Sequence, residues 1–108
     1  MKKIDTVKKK EDFTRIIKRG KFIRSDSFVL YYMVKNEDRP KIGIAVGKKN
    51  GDAHIRNRIK RQTREMIEMI FNHEESFDCI VLIRPKFVEF DFQANKIMLD
   101  RIYKKIKI

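Results

Sequence analysis

Apolar and polar residues alternate along this 108-residue chain with two different periods. Apolar spacings of three and four predict three helices, and period-two alternation or short apolar runs between turn residues predict at least three strands. In chain order these elements cover residues 10–19 (helix), 27–35 and 41–48 (strands), 53–72 (helix), 77–84 (strand) and 92–107 (helix). Helices packed against one small sheet, an α+β sandwich in a single domain over residues 1–108, are therefore predicted.

The longest predicted helix has two chemically different sides. Its apolar side contains Ile55, Ile59, Thr63, Met66 and Ile70. Elsewhere it carries five cations and an amide: Arg56, Asn57, Arg58, Lys60, Arg61 and Arg64. At about 100° per residue, all of these except Arg58 share one arc. Solvated helix faces usually mix charge signs, but Arg56 with Lys60, and Lys60 with Arg64, are like-charge pairs that cost stability unless an anion neutralises them. The arc is therefore predicted to bind polyphosphate.

Net charge supports a polyanionic partner. The chain holds 27 Lys/Arg and 15 Asp/Glu, a net charge of +12, and the excess lies in residues 1–64 (+13) rather than 65–108 (−1). Such a field favours nucleic acid or an anionic membrane surface. No apolar run has the length of a membrane span and no signal peptide begins the sequence, so we expect a cytoplasmic protein. The single cysteine, Cys79, lies in an apolar run and is predicted to be a buried thiol.

Two further groups of residues suggest contacts with nucleic acid. Lys48 and Lys49 precede the basic helix, whose N-terminus could add N–H groups for phosphate. Phe13 and Ile17 share a face of the first helix, and Tyr31 lies on a face of the first predicted strand. If that helix and strand are adjacent, these side chains could line a groove in which unpaired bases stack. Ordinary core packing is the alternative.

Candidate catalytic groups are scarce. His54 and His73 are far apart in sequence, and Glu74, Glu75 and Asp78 are more typical of a solvated loop than of a metal site. No nucleophile and base occur in a recognisable motif, and the Lys48–Lys49 loop lacks the spacing of a nucleotide-binding P-loop. We therefore predict no catalytic residue and no metal site in the protein, and expect any chemistry to be performed by a partner.

The residues from Arg56 to Arg61, followed by Arg64-Glu65, resemble the arginine–asparagine–arginine signature of the bacterial ribonuclease P protein component family. The segment 43–53 resembles the strand and loop that precede this signature, and Glu11-Asp12-Phe13 and the strand at 28–31 also fit. Two positions depart from the family pattern. Asp52 stands where an asparagine is expected, and Ile17 stands where an aromatic residue is common.

The resemblance implies the accessory subunit of a ribonucleoprotein endonuclease that removes the 5′ leader of precursor tRNA. The RNA subunit would perform hydrolysis with Mg²⁺, and no protein partner would be required. The family fold is a mainly antiparallel sheet packed with three helices. Its strand–helix–strand crossover is left-handed, although the general rule for parallel strands predicts a right-handed one. A small ribosomal or RNA-chaperone protein and a free-standing nuclease are the alternative functions.

The resemblance also assigns residues to two RNA partners. Contacts with ribonuclease P RNA fall to Arg56, Asn57, Arg58, Lys60, Arg61 and Arg64. Contacts with the precursor tRNA leader fall to Phe13, Ile17, Tyr31, Lys48 and Lys49.

Overall fold

Four strands form one mixed sheet in a computed structural model that describes residues 10–107. The elements are α1 (Lys10–Arg19), β1 (Lys21–Arg24), β2 (Phe28–Val34), β3 (Ile42–Val46), α2 (Ala53–Ile70), β4 (Phe77–Ile83) and α3 (Phe92–Lys104). The strand order is β1-β2-β4-β3, in which β1–β2 and β2–β4 are antiparallel and β3–β4 is parallel. The predicted α+β sandwich with a mainly antiparallel sheet and three helices is confirmed.

The sequence located every helix but left the number of strands open. α1 has the predicted bounds, whereas α2 and α3 end two and three residues earlier than predicted. β1 is the additional strand; its four residues are too few for a clear periodic signal. Two short 3₁₀ turns, Lys48–Asn50 and Pro85–Glu89, follow β3 and β4. Within residues 10–107, no helix combines the length and apolarity needed to cross a bilayer.

The core lies between one face of the sheet and the helices α2 and α3. Its main members are Phe28, Leu30, Tyr32, Ile42, Ile59, Met66, Ile67, Cys79, Val81, Ile83, Leu99 and Ile102. The buried-thiol prediction for Cys79 is confirmed, and burial raises the pKa of that thiol well above its usual value. Because side chains alternate along a strand, the remaining strand residues lie on the opposite face, where α1 packs.

The unit β3–α2–β4 joins two neighbouring parallel strands. Its left-handed sense stays a prediction from the family resemblance. The chain enters α2 through Gly51, whose φ of 128° is a backbone conformation that favours glycine. After α2, the carboxylate of Glu75 accepts hydrogen bonds from the backbone N–H groups of Asn72 and His73, which stabilises the turn into β4. The course of α2 is therefore determined at both ends.

Candidate nucleic-acid interface

Helix α2 presents its basic residues to solvent because its apolar side is buried on the sheet. Ile59, Thr63 and Met66 are buried as predicted, and Ile55 and Ile70 are half-buried. Of the six predicted RNA-binding residues, five are exposed and Arg56 is half-buried: Asn57, Arg58, Lys60, Arg61 and Arg64 are the exposed ones. We call Arg56, Asn57, Lys60, Arg61 and Arg64 the α2 row.

No carboxylate in the described part of the chain forms an ion pair with the cations of the α2 row. This contrasts with Lys104 on α3, whose Nζ lies 2.9 Å from Asp100 Oδ2. Repulsion between Lys60 and its i±4 neighbours is thus uncompensated within the described residues. A bound polyanion would remove that repulsion and gain several charge-assisted hydrogen bonds.

The N-terminus of α2 is less available for phosphate than its position suggested. Asp52 is the N-cap, and its carboxylate accepts a hydrogen bond from the backbone N–H of Ile55 at 3.0 Å. The negative charge of Asp52 also offsets the positive end of the helix dipole. One of the N–H groups expected to be free for phosphate is therefore already bound by Asp52, so the predicted contribution of helix N–H groups is reduced.

Lys48 and Lys49 are exposed on a 3₁₀ turn that is anchored to the end of the sheet. The anchor is Asn50, which is buried and donates from Nδ2 to the carbonyl oxygens of Gly47 (3.2 Å) and Ile83 (3.4 Å). Because the turn connects β3 to α2, the two lysines lie between the sheet end and the first turn of the α2 row. Their charges extend the basic surface from α2 onto the sheet.

Helix α1 packs against the sheet face opposite the core, and that face is partly apolar. We call this face, together with the flank of α1 that carries Phe13 and Ile17, the cleft. Strand register aligns Phe22, Tyr31, Ile80 and Gly43 across this face. Tyr31 is half-buried, whereas Phe22 is 53% exposed, and their ring centroids are 5.8 Å apart. Gly43 carries no side chain, so the cleft is shallow at β3, as the alternation of small residues in that strand predicted.

The next row of the same face leads toward the two lysines. It contains Arg24, Val29, Leu82 and Ala45 in register and lies one residue from the end of the sheet. The guanidinium carbon of Arg24 is 5.7 Å from the ring centroid of Phe22, within range of a cation–π contact. A basic group thus borders the aromatic pair on the side nearest Lys48 and Lys49.

The two predicted cleft residues on α1 differ in exposure. Phe13 is 41% exposed and Ile17 is half-buried. Phe13 is therefore not a core residue, and its contact with a nucleic acid stays a prediction. Phe22 and Arg24 were not predicted as candidate site residues, because they lie on β1, whose four residues carry no clear periodic signal.

Catalytic and metal-binding groups do not converge in the described residues. Across residues 10–107, no three His, Cys, Asp or Glu side chains are close enough to hold a metal ion. His54 is exposed in the first turn of α2, whereas His73 follows the helix, where its Nε2 lies 3.5 Å from Glu68 Oε2. Within the described residues, the α2 row and the cleft therefore stay the candidate site.

Comparison with known proteins yields one family. The family model described as Ribonuclease P matches residues 1–107. A ribonuclease P protein component from Streptococcus agalactiae is 36% identical over 104 residues, covering 96% of this chain and 95% of that protein. Another from Streptococcus equi subsp. equi is 36% identical over 108 residues, covering 100% of this chain and 91% of that protein.

Solved structures agree with this similarity. The RNase P protein of Staphylococcus aureus has a TM-score of 0.86 and 33% identity, with 98% of each chain covered. The RNase P protein of Thermotoga maritima has a TM-score of 0.82 and 29% identity, with 96% of this chain and 99% of that one covered. The chain therefore belongs to the ribonuclease P protein family, the accessory protein subunits that function with ribonuclease P RNA in the endoribonuclease of tRNA 5′ maturation.

Proposed function

We propose that this chain binds ribonuclease P RNA through the α2 row and Arg58, and holds the 5′ leader of precursor tRNA in the cleft between α1 and the sheet. The observation that supports the proposal most strongly is that these two surfaces adjoin each other at one end of the sheet. Lys48 and Lys49 lie there, between the start of α2 and the cleft row that contains Arg24. A single protein can thus contact a catalytic RNA and a substrate strand near the same point.

The protein contributes electrostatics and geometry rather than bond cleavage. The unpaired cations of the α2 row reduce repulsion between two polyanions, so the substrate binds at a lower Mg²⁺ concentration. The proposed leader contacts are made to a strand that the product no longer contains, by Phe13, Ile17, Tyr31, Lys48 and Lys49. These contacts increase the affinity for the precursor but not for the product, so the two are distinguished without any protein group at the scissile bond.

Mg²⁺ belongs, in this proposal, to the RNA subunit. The described protein side chains do not fit a Mg²⁺ site, because no carboxylate cluster assembles among them. We assign hydrolysis to the RNA with its Mg²⁺ and derive no step through a protein-bound metal. We further propose a cytoplasmic location and a holoenzyme that requires no other protein.

Reconstitution tests the proposal. Purified protein is added to ribonuclease P RNA and leader-bearing precursor tRNA at a Mg²⁺ concentration at which the RNA alone is nearly inactive. We expect correct 5′ cleavage to increase, and no cleavage by the protein alone. An unchanged rate would favour a general RNA-chaperone function, and cleavage without the RNA subunit would favour a free-standing nuclease.

A matched pair of variants adds specificity to this test. Arg61→Met/Arg64→Met removes two charges from the α2 row, whereas Arg101→Met/Lys105→Met removes two exposed charges from the end of α3. The first variant should require more Mg²⁺ for full activity, and the second should behave as the wild-type protein. Equal behaviour of the two variants would mean that net charge, rather than the α2 row, produces the activation.

A further inference from the structure

Helix α1 is held on the sheet by a polar network as well as by a buried apolar side chain, Ile16. Only Asp12 and Ile16 of its ten residues are buried. Arg15 Nη2 donates to Asp78 Oδ2 at 2.6 Å, and Asp78 is 0% exposed. The other oxygen of this carboxylate, Oδ1, accepts the backbone N–H of Lys41 at 2.9 Å. Asp78 therefore connects α1, β4 and the residue that precedes β3.

A second carboxylate closes the network on the helix itself. Asp12 Oδ2 lies 3.1 Å from Lys41 Nζ, and Asp12 Oδ1 lies 3.4 Å from Arg15 Nη2. The hydrogen bond from Lys41 holds the pKa of Asp12 below its usual value, in spite of partial burial. Burial lowers the pKa of Lys41, but hydrogen bonds to Asp12 and Glu37 outweigh it and raise that pKa overall. We call Asp12, Arg15, Lys41 and Asp78 the α1 network.

The α1 network determines which way the helix faces. Asp12, Arg15 and Ile16 share the side toward the sheet, and at about 100° per residue Phe13 and Ile17 lie on the adjacent flank. A helix of ten residues is marginal in isolation, so its orientation depends on tertiary contacts. Hydrogen-bonded ion pairs have narrow geometry, whereas a single buried isoleucine tolerates rotation. Loss of the network would therefore allow α1 to rotate about its axis, which would move Phe13 and Ile17 relative to the sheet.

The C-terminal end of α1 is constrained separately. A Cβ atom at Gly20 would lie 2.4 Å from the carbonyl oxygen of Ile16 and 2.6 Å from that of Tyr32, so the chain passes the sheet closely there. With this end fixed by backbone contact, the α1 network becomes the main constraint on the N-terminal half of the helix. Phe13 lies in that half, between two network residues.

We propose that Arg15 and Asp78 are positioning residues for the leader cleft: through the α1 network they set the separation of Phe13 and Ile17 from Tyr31. This inference rests on the proposed leader-binding function. If the network had only a structural role, its removal would change the stability of the protein but not its preference for precursor tRNA. A positioning role predicts in addition a selective loss of affinity for leader-bearing substrate.

The test uses holoenzyme reconstituted with Arg15→Met/Asp78→Asn. The double change removes both charges, so that neither is left buried without a partner. Asp100→Asn/Lys104→Met is the matched control, because it removes an exposed ion pair on α3 with the same change in charge. Dissociation constants for precursor tRNA, mature tRNA and ribonuclease P RNA are measured with each protein, together with thermal unfolding.

We expect the ratio of precursor to mature tRNA affinity to fall at least about fivefold in the Arg15/Asp78 variant, the equivalent of one lost base contact. Affinity for ribonuclease P RNA should not change, and the control should retain the wild-type ratio. A folded Arg15/Asp78 variant with the wild-type ratio would overturn the inference. Absence of any precursor preference in the wild-type protein would instead overturn the leader-binding function itself.

If the double variant does not fold, a milder variant still tests the inference. Lys41→Met removes the ion pair with Asp12. It leaves the hydrogen bond that the backbone N–H of residue 41 donates to Asp78. Since Lys41 is only half-buried, this protein should fold. A precursor preference about two- to threefold below wild type supports positioning by the network, because part of the helix constraint is lost. An unchanged preference contradicts it.

Discussion

The two surfaces proposed to bind RNA are built in different ways. The α2 row lies on one continuous helix, so its geometry follows from local sequence. The cleft combines α1, β1, β2 and β4 with small residues of β3, and its shape depends on strand register and on the α1 network. On a surface made by one helix, neighbouring cations can compensate for a single substitution. A surface made by five elements can be altered by a residue that does not contact the ligand.

The largest expected effect concerns the α2 row. Arg61→Met/Arg64→Met should weaken binding to ribonuclease P RNA and reduce the slope of log affinity against log salt by about 1.4–1.8, since each lost phosphate contact contributes roughly 0.7–0.9. Filter binding across a salt series measures this slope. The same variant should unfold at an equal or higher temperature, because Arg64 repels Lys60. An unchanged slope would mean that Arg61 and Arg64 do not contact phosphates of the RNA.

Tyr31→Ala tests the cleft as a stacking surface. Loss of one stacked base should weaken precursor tRNA binding by about 1–3 kcal/mol and leave mature tRNA binding unchanged. Tyr31→Phe is the matched control, because it retains the ring and should retain most of the affinity. Equal losses for precursor and mature tRNA would place Tyr31 in a structural role.

Phe22→Ala should have a smaller effect of the same kind. The ring is 53% exposed and contacts Tyr31, so its removal costs little stability but narrows the aromatic surface of the cleft. We expect a loss of about 1 kcal/mol in precursor affinity, with thermal unfolding near that of the wild-type protein. A large decrease in unfolding temperature without a change in affinity would contradict this assignment.

The smallest expected effect is a pH dependence of stability from Asp12. Its folded-state pKa is lowered by Lys41, so ionised Asp12 stabilises the fold above its unfolded value of about 3.9, and this contribution is lost as pH falls through the lower folded value. Asp12→Asn should therefore unfold at a lower temperature than wild type at pH 7. The difference should shrink as the pH falls below about 4, because protonated aspartic acid resembles asparagine. A difference that does not change with pH would exclude the charged contact.

Much of the fold, and the α2 row of the candidate site, follow from local sequence. Periodicity located α1 and α2, and the spacing of Ile59, Thr63 and Met66 predicted which side of α2 is buried. The order of strands could not be predicted, because pairing joins residues far apart in the chain, such as Tyr31 and Ile80. For the same reason the solvated position predicted for Asp78 is wrong: its carboxylate is fully buried and pairs with Arg15, 63 positions earlier in the chain.

Site-specific crosslinking tests the central claim, that the two surfaces contact two different RNAs, most directly. The native Cys79 is buried, so a cysteine introduced at the surface can be labelled selectively with a photoreactive group. Asn57→Cys on α2 and Phe22→Cys in the cleft are each assembled with ribonuclease P RNA and precursor tRNA. We predict that position 57 crosslinks to ribonuclease P RNA and position 22 to leader nucleotides of the precursor. Crosslinks from both positions to the same RNA, or in the reverse assignment, would contradict the account.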